Sequence, residues 1–271
     1  MNKTIFITGA SSGLGKATAQ LFQSKGWNVI ATMRKPENET TLTILDNVLV
    51  TKLDVLDLSS IENAVKDGIR KFGKIDVLVN NAGYGAYGPL ESFPREKIIR
   101  QFNTNVIGLL DVTKALLPHF RQNKSGVIIN ISSIGGKMTF PLGALYHGTK
   151  FAVEGISESL SYEVEQFNGK VKIIEPGSID TDFASRSIDL SNDETLSEYQ
   201  PIVEKVMSGI TALYQNASSA DVIANVIYEA ATDGTNKLRY TAGEDAKTFI
   251  ANRRQLDDET FIGGVKTQFG L

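Results

Sequence analysis

Short apolar runs that alternate with segments of helical periodicity are the feature that most limits how this chain can fold. Strands that are apolar throughout lie in parallel sheets covered on both faces, and right-handed crossovers wind such sheets in both directions. The sequence therefore predicts an α/β fold with a doubly wound, seven-stranded parallel sheet and helices on both faces. The predicted strands are residues 3–8, 27–33, 48–53, 75–79, 127–131, 171–174 and 237–241.

Helical periodicity fills the intervals between these strands, and we read the 271 residues as a single domain. Ser59 or Ser60 is expected to cap the second helix. A substrate lid is predicted at about 181–215, and its first part, at about 181–198, is polar and irregular. A C-terminal extension is predicted at about 242–271, and it begins with an amphipathic helix at 242–254. We expect this extension to cover a pocket or an oligomer interface. The main predicted helices are residues 13–25, 61–72, 95–122, 146–167 and 221–231.

Composition excludes several classes of function. The chain has no cysteine, two histidines and a net charge of −3, with no basic run. Disulfides and thiolate chemistry are excluded, and neither a metal site nor nucleic-acid binding is expected. No apolar stretch is long enough to span a membrane, so we expect a cytoplasmic protein.

Three glycines, Gly9, Gly13 and Gly15, lie between the first predicted strand and the first helix. Glycines at such a turn let the backbone approach a pyrophosphate at the helix N-terminus, as in Rossmann folds. The loop lacks the Lys-Ser/Thr ending of a Walker phosphate loop. A glycine-rich turn without a ligand stays open on this motif alone.

Four motifs occur in order along the chain: Thr8-Gly9-x-x-x-Gly13-x-Gly15, Asn80-Asn81-Ala82-Gly83, Tyr146-x-x-x-Lys150 and Pro176-Gly177. Together they resemble the single-domain branch of the short-chain dehydrogenase/reductase family, near the group with 17β-hydroxysteroid and retinol dehydrogenases. The resemblance implies an oxidoreductase whose catalytic residues are Ser133, Tyr146, Lys150 and Asn105. It also implies a cofactor site formed by Gly9, Ser11, Ser12, Gly13, Leu14, Gly15, Arg34, Asp54, Val55, Asn81, Ala82, Gly83, Tyr146, Lys150, Pro176, Gly177, Ile179 and Thr181.

The residues themselves fit acid–base chemistry. Tyr146 and Lys150 are four apart on a predicted helix and so share one face. A nearby ammonium is expected to lower the pKa of the phenol, which is otherwise too high for work at neutral pH. Ser133 follows the fifth strand, where its hydroxyl can stabilise a substrate oxygen. For Asn105 the resemblance implies a backbone carbonyl that is freed by a local kink and holds a water. A purely structural Tyr–Lys pair stays open without the other motifs.

The end of the second strand bears on the choice of cofactor. Met33 stands where NAD-specific sheets place a carboxylate, and Arg34 and Lys35 follow it. Arginine suits the 2′-phosphate of NADP, so we expect NADP(H) rather than NAD(H). The alternative is that both are solvated loop charges.

The expected substrate is a small hydrophobic ketone, aldehyde or secondary alcohol, because the predicted pocket walls are largely apolar. The resemblance implies a homodimer or homotetramer. A non-catalytic NADP(H)-binding sensor is the alternative, although such sensors typically lose the Tyr or Lys. The predicted walls contain Tyr84, Tyr87, Met138, Phe140, Leu142, Leu145 and Phe183.

Overall fold

A seven-stranded sheet forms the centre of the computed structural model, which describes residues 2–181, 187–214 and 217–271. The strands of the described chain are β1 (Thr4–Ile7), β2 (Asn28–Met33), β3 (Val48–Lys52), β4 (Val77–Asn80), β5 (Gly85–Tyr87), β6 (Gly126–Ile131), β7 (Gly169–Pro176), β8 (Ile179–Asp180), β9 (Ile188–Leu190), β10 (Ser218–Ser219) and β11 (Arg239–Ala242). The order in the main sheet is β11-β7-β6-β4-β1-β2-β3, and every neighbouring pair is parallel. The predicted doubly wound sheet is confirmed.

β1 and β4 are parallel neighbours in the sheet. After β1 the strand order continues through β2 and β3 toward one edge, whereas after β4 it continues through β6, β7 and β11 toward the other, so the order reverses between β1 and β4. A crevice opens outside the carboxyl ends of the strands at such a switch point, and ligands bind there in open α/β sheets. The loops after β1 and β4 are the glycine loop and the Asn80-Asn81-Ala82-Gly83 segment. The topology therefore brings two of the four motifs together.

Helices cover both faces of the sheet. Phe22 and Ile227 lie in the apolar core of one face, while Ile61, Leu116 and Val164 lie in that of the other. The helices of the described residues are α1 (Gly13–Ser24), α2 (Leu58–Phe72), α3 (Arg95–Phe102), α4 (Gly108–Gln122), α5 (Ala144–Val164), α6 (Gln200–Tyr214), α7 (Ala220–Thr232), α8 (Glu244–Gln255) and α9 (Asp258–Phe269).

The predicted cap of α2 was wrong. The Asp57 carboxylate, not Ser59 or Ser60, accepts hydrogen bonds from the backbone N–H groups of those two serines. An aspartate directly before the helix satisfies two otherwise unpaired donors, so the helix begins one turn earlier than its apolar pattern indicates.

The predicted helix 95–122 is interrupted. A π-helical turn, Asn103–Ile107, separates α3 from α4 and contains Asn105. Such turns disturb the regular ladder of backbone hydrogen bonds and are frequent at functional sites. This turn is a local irregularity of the helix at Asn105, where a kink is expected.

The C-terminal part of the chain forms a third apolar cluster outside the main sheet. Val206 of α6, Ile250 of α8 and Phe269 of α9 pack with Ile134 and Met138, which follow β6. The predicted helix 242–254 corresponds to α8, whereas α6 and α9 were not predicted. The irregular segment predicted at 181–198 contains β9, which pairs in parallel with β5.

Candidate active site

The glycine loop has a backbone that only glycines accommodate well. Gly9 and Gly13 have φ of +68° and +52°, in the left-handed region. A Cβ on Gly15 would lie 2.4 Å from the Gly9 carbonyl oxygen and 2.5 Å from Asn81 Nδ2. The three glycines thus serve two purposes: two set the turn, and the third lets the start of α1 approach the loop closely.

Asn81 holds this loop in place from the neighbouring strand. Its side-chain Nδ2 donates to the carbonyl oxygens of Thr8 and Gly9 at 2.9 and 3.0 Å. The Thr8 hydroxyl oxygen accepts hydrogen bonds from the backbone N–H groups of Asn81 and Ala82, each at 3.0 Å. The loops after β1 and β4 are therefore bonded into one unit at the switch point.

The Asn105 side chain ties three elements together. Its Oδ1 accepts from Tyr84 N at 3.1 Å, and its Nδ2 donates to Tyr84 O at 2.8 Å and Thr149 Oγ1 at 3.1 Å. A Cβ on Gly83 would lie 3.1 Å from Asn105 Oδ1. The buried amide thus fixes the turn between β4 and β5 against α5. The role of the Asn105 backbone carbonyl stays a prediction.

Ser133, Tyr146 and Lys150 meet at the carboxyl end of β6. Ser133 follows β6, and its hydroxyl hydrogen-bonds the phenol of Tyr146. The same serine oxygen accepts from Gly135 N at 3.0 Å. Lys150 Nζ lies 5.7 Å from the centre of the Tyr146 ring and donates to the Ile131 carbonyl oxygen at 2.8 Å. The i, i+4 spacing on α5 thus places the two side chains side by side, as expected.

The adjacent Ser132 is arranged differently. Its hydroxyl oxygen is buried and has no hydrogen-bond partner among the described residues. Ser133, which bonds to Tyr146, is therefore the serine that the geometry associates with acid–base chemistry.

Burial dominates the protonation of the pair. It raises the pKa of Tyr146 to about 12, although the hydrogen bond from Ser133 acts in the opposite direction. Burial also lowers the pKa of Lys150 to about 8, while the Glu154 carboxylate opposes that change. The direction at Tyr146 is opposite to the lowering expected from the lysine. Removal from water disfavours the charged form of each group, and burial is the largest cause of both pKa shifts.

A sequence model of the short chain dehydrogenase family matches residues 3–192. The chain belongs to the short-chain dehydrogenase/reductase family. It is 48% identical over 239 residues to an uncharacterized oxidoreductase of Schizosaccharomyces pombe, covering 88% of this chain and 100% of the relative. This dehydrogenase is thus an oxidoreductase enzyme.

Solved structures support the same assignment. A short-chain dehydrogenase from Streptomyces avermitilis superposes with a TM-score of 0.83 at 31% identity, covering 99% of this chain and 96% of that one. The structure of ElxO with NADP bound gives a TM-score of 0.75 at 28% identity, covering 92% and 100%. The resemblance to the 17β-hydroxysteroid and retinol dehydrogenase group stays a prediction.

One cavity of about 690 Å³ unites the motifs of the dehydrogenase. Every residue that the sequence assigned to cofactor binding lines it, together with Ser133. Asn105 is the exception among the predicted site residues, because its side chain is buried in the turn described above.

The predicted substrate walls are correct only in part. Tyr84, Tyr87 and Phe140 line the cavity, whereas Phe183 lies outside the described residues. Met138 and Leu142 were wrong, because neither lines the cavity and both pack within the C-terminal apolar cluster. Leu145 was also wrong, since it packs against Ala86 and Phe93. The unpredicted helices α6 and α9 supply further apolar lining, and so does the predicted helix α8: Ile210, Leu213 and Tyr214 from α6, Phe249 from α8 and Phe269 from α9.

The wall beside Tyr146 is aromatic and rigid. The Tyr87 ring lies against that of Tyr146, with centres 5.5 Å apart. His147 is buried; its Nε2 accepts from Phe140 N, and its Nδ1 lies 3.0 Å from the Gly135 oxygen. This arrangement requires the neutral ring with the proton on Nδ1, and burial lowers the pKa of His147 in agreement. The histidine supports the loop after β6 as a packing residue.

Metal-ligating clusters and membrane spans are absent from the part of the chain that the structure describes. Residues 2–181, 187–214 and 217–271 contain no group of three or more potential metal-ligating side chains. Within those ranges no helix is both long and apolar enough to span a membrane.

Proposed function

We propose that this enzyme transfers a hydride between NADP(H) and a hydrophobic ketone, aldehyde or secondary alcohol, with Tyr146 as the acid/base. One observation supports this most: the bonded pair of Ser133 and Tyr146, with Lys150 beside it, lines the same cavity as the glycine loop. A nicotinamide cofactor, when bound, donates or accepts the hydride.

The protonation state of Tyr146 suits carbonyl reduction. With a pKa of about 12 the phenol holds its proton at neutral pH and can donate it to a substrate oxygen. Ser133, within hydrogen-bond distance of that phenol, is placed to hold the same oxygen. Lys150 has a pKa of about 8 and so is mostly charged at neutral pH, beside the position where negative charge develops.

The cradle fits a dinucleotide with a 2′-phosphate. Gly9 and Gly13 set the turn beside the N-terminus of α1, and Arg34 is exposed and lines the cavity after β2. The buried Glu39 carboxylate accepts hydrogen bonds from Lys16, Thr41 and Leu42. Burial by itself raises the pKa of Glu39, but these hydrogen bonds lower it to about 2. The carboxylate is therefore not available to a ribose 2′-hydroxyl. ElxO, a relative with 28% identity, has been solved with NADP.

Replacement of Tyr146 by Phe tests the chemistry. We expect carbonyl reduction, followed by NADPH absorbance over a panel of ketones and aldehydes, to fall by about 100-fold or more, because positioned proton transfer contributes at least that much. NADPH binding, measured by fluorescence titration, should survive. Tyr162→Phe is the matched control, since Tyr162 is on the same helix but 67% exposed.

Equal turnover by wild type and Tyr146→Phe would refute this mechanism. NADPH binding without turnover of any carbonyl or alcohol by the wild-type protein would instead favour the sensor.

The cofactor preference is tested at Arg34. We expect the wild-type kcat/KM to be higher with NADPH than with NADH. In Arg34→Gln the kcat/KM with NADPH should fall about tenfold, because a charge-assisted contact to the 2′-phosphate is lost, while the kcat/KM with NADH is unchanged. Lys35→Gln is the control, because Lys35 is equally exposed but does not line the cavity. A wild-type preference for NADH would contradict the assignment.

We also propose that the protein pairs with a second copy through the adjacent helices α3 and α5. Ile99, Phe102, Ile107 and Phe151 are exposed on or next to these helices, with exposed fractions from 38% to 47%. A Cβ on Gly148 would lie 3.5 Å from the Phe102 ring, so the two helices touch here. Contiguous exposed apolar groups of this kind are typical of interfaces.

A further inference from the structure

The cavity has a polar rim formed by Tyr84, Arg100, Thr104 and Asp189, opposite in character to its apolar walls. Tyr84 precedes β5, Arg100 is on α3, and Asp189 is on β9, which pairs with β5. The Arg100 guanidinium carbon lies 5.4 Å from the centre of the Tyr84 ring. The face of the Tyr84 ring attracts the Arg100 cation and so helps to hold it at the cavity that both residues line.

Arg100 is the unneutralised charge of this rim. Asp189 forms an ion pair with Lys97 at 2.6 Å, so these two charges cancel. Arg100 makes no ion pair with any residue in the described ranges. Lys97 does not line the cavity but neutralises Asp189, so Arg100 is the charged side chain of the rim that is left without an ion-pair partner in the described ranges.

This positive rim is close to the reacting group. A Cβ on Gly85 would lie 3.4 Å from Cδ2 of Tyr146, and Tyr84 is the residue before it in the chain. Arg100 in turn contacts Tyr84. An anionic group at Arg100 can therefore belong to the same small molecule whose oxygen meets Tyr146 and Ser133.

We infer that the substrate is a hydrophobic carbonyl compound that bears a carboxylate, and that Arg100 binds this carboxylate. The inference rests on the proposed function and names the substrate class of that site. The guanidinium fork matches a carboxylate in two parallel hydrogen bonds, and the charge of Arg100, which no ion pair neutralises, suits a monoanion. The rest of the molecule lies against the apolar side chains of α6, α8 and α9, such as Leu213, Phe249 and Phe269.

The experiment compares matched substrates with NADPH as reductant. The probes are medium-chain 2-oxo, 4-oxo and 5-oxo acids, their methyl esters, and the corresponding oxo-alkyl phosphates and amino ketones. Wild type, Arg100→Gln and Arg95→Gln are each assayed for kcat and KM. Arg95 is the control because it is exposed on the same helix but does not line the cavity.

We expect at least one acid to be reduced with higher kcat/KM than its ester. Arg100→Gln should raise the KM of that acid about tenfold, equivalent to about 1.4 kcal/mol, with kcat and the ester little changed. Unchanged ester reduction in the same variant shows that it is folded. Arg95→Gln should behave as wild type.

Three results overturn the inference: no acid is preferred over its ester, Arg100→Gln leaves the acid-to-ester ratio unchanged, or the phosphate or amino ketone is the preferred member of its series. In each of these results the neutral ketones are still reduced, so the proposed function stands. Loss of turnover with every compound in the panel would refute the proposed function and the inference together.

Discussion

Replacement of Gly15 by Ala is the sharpest test of how the glycine loop works. The added Cβ would lie 2.4 Å from the Gly9 carbonyl oxygen and 2.5 Å from Asn81 Nδ2, both closer than real carbon contacts allow. One neighbour is backbone, and the Asn81 side chain is held by two hydrogen bonds to the loop. The loop and the start of α1 must therefore separate.

The magnitude follows from the cost of overpacking a well-packed site, about 1–3 kcal/mol per added group. Relief of the clash moves the loop out of the conformation that faces the cavity, so the cost falls mainly on cofactor affinity. A loss of this size corresponds to a Kd for NADPH that is raised by about 5-fold to 150-fold.

The assay is a fluorescence titration with NADPH, together with thermal unfolding. Gly263→Ala is the control, because Gly263 is inside α9 and a Cβ added there would meet no atom within 4 Å. Alanine there should leave the Kd unchanged and stabilise the protein by about 0.5–1 kcal/mol, since glycine is a poor helix former. A Kd within about twofold of wild type for Gly15→Ala would refute the reasoning, given that 1 kcal/mol is already a fivefold change.

Two further predictions concern the proton chemistry and the assembly. Glu154→Gln removes a charge that raises the pKa of Lys150, so the pKa should fall below about 8 and the alkaline limb of the kcat/KM profile should move to lower pH. Glu158→Gln is the control, because Arg239 bonds both the Glu154 and the Glu158 carboxylates, and it should leave the alkaline limb in place. An identical shift of the limb in both variants would exclude a specific effect of Glu154. Ile99→Glu should reduce the dimer measured by light scattering, whereas Ile44→Glu, at a site that is 80% exposed and away from α3 and α5, should not. A monomeric wild-type protein would contradict the interface.

Local patterns were sufficient for the main sheet and for the reactive pair. Five of the seven strands, β1, β2, β4, β6 and β7, are buried along all or nearly all of their length, whereas the edge strands β3 and β11 are only partly buried. Apolar runs revealed the strands, and the winding rules for parallel sheets supplied the architecture. Tyr146 and Lys150 are neighbours because they are four apart on one helix, a relation that requires no knowledge of the rest of the chain. The glycine loop is similar in that its three glycines are close together in the sequence, although the side chain that holds it, Asn81, comes from the segment after β4.

Elements without a clean local pattern were missed. Phe261, Val265 and Phe269 have helical spacing on α9, but Gly263 and Gly264 stand between them and disfavour a helix in isolation. Packing against α6 and the loop after β6 buries these apolar side chains and overrides that preference. The substrate walls contributed by α6 and α9 were missed together with those helices, whereas α8 was predicted as a helix without its Phe249 being assigned to the cavity.

The sequence by itself determined the strands, the glycine turn and the pairing of Tyr146 with Lys150, because residues close together in the chain mark each of them. The winding rules then supplied the parallel sheet, whose strands pair across long stretches of chain. Only the tertiary structure decided the direction of the pKa shift at Tyr146, which burial raises although a lysine lies beside it. It also decided which wall of the cavity is apolar and that Arg100 stands at its rim. Burial and long-range contacts arise from the packing of distant segments, and no local pattern of residues specifies them.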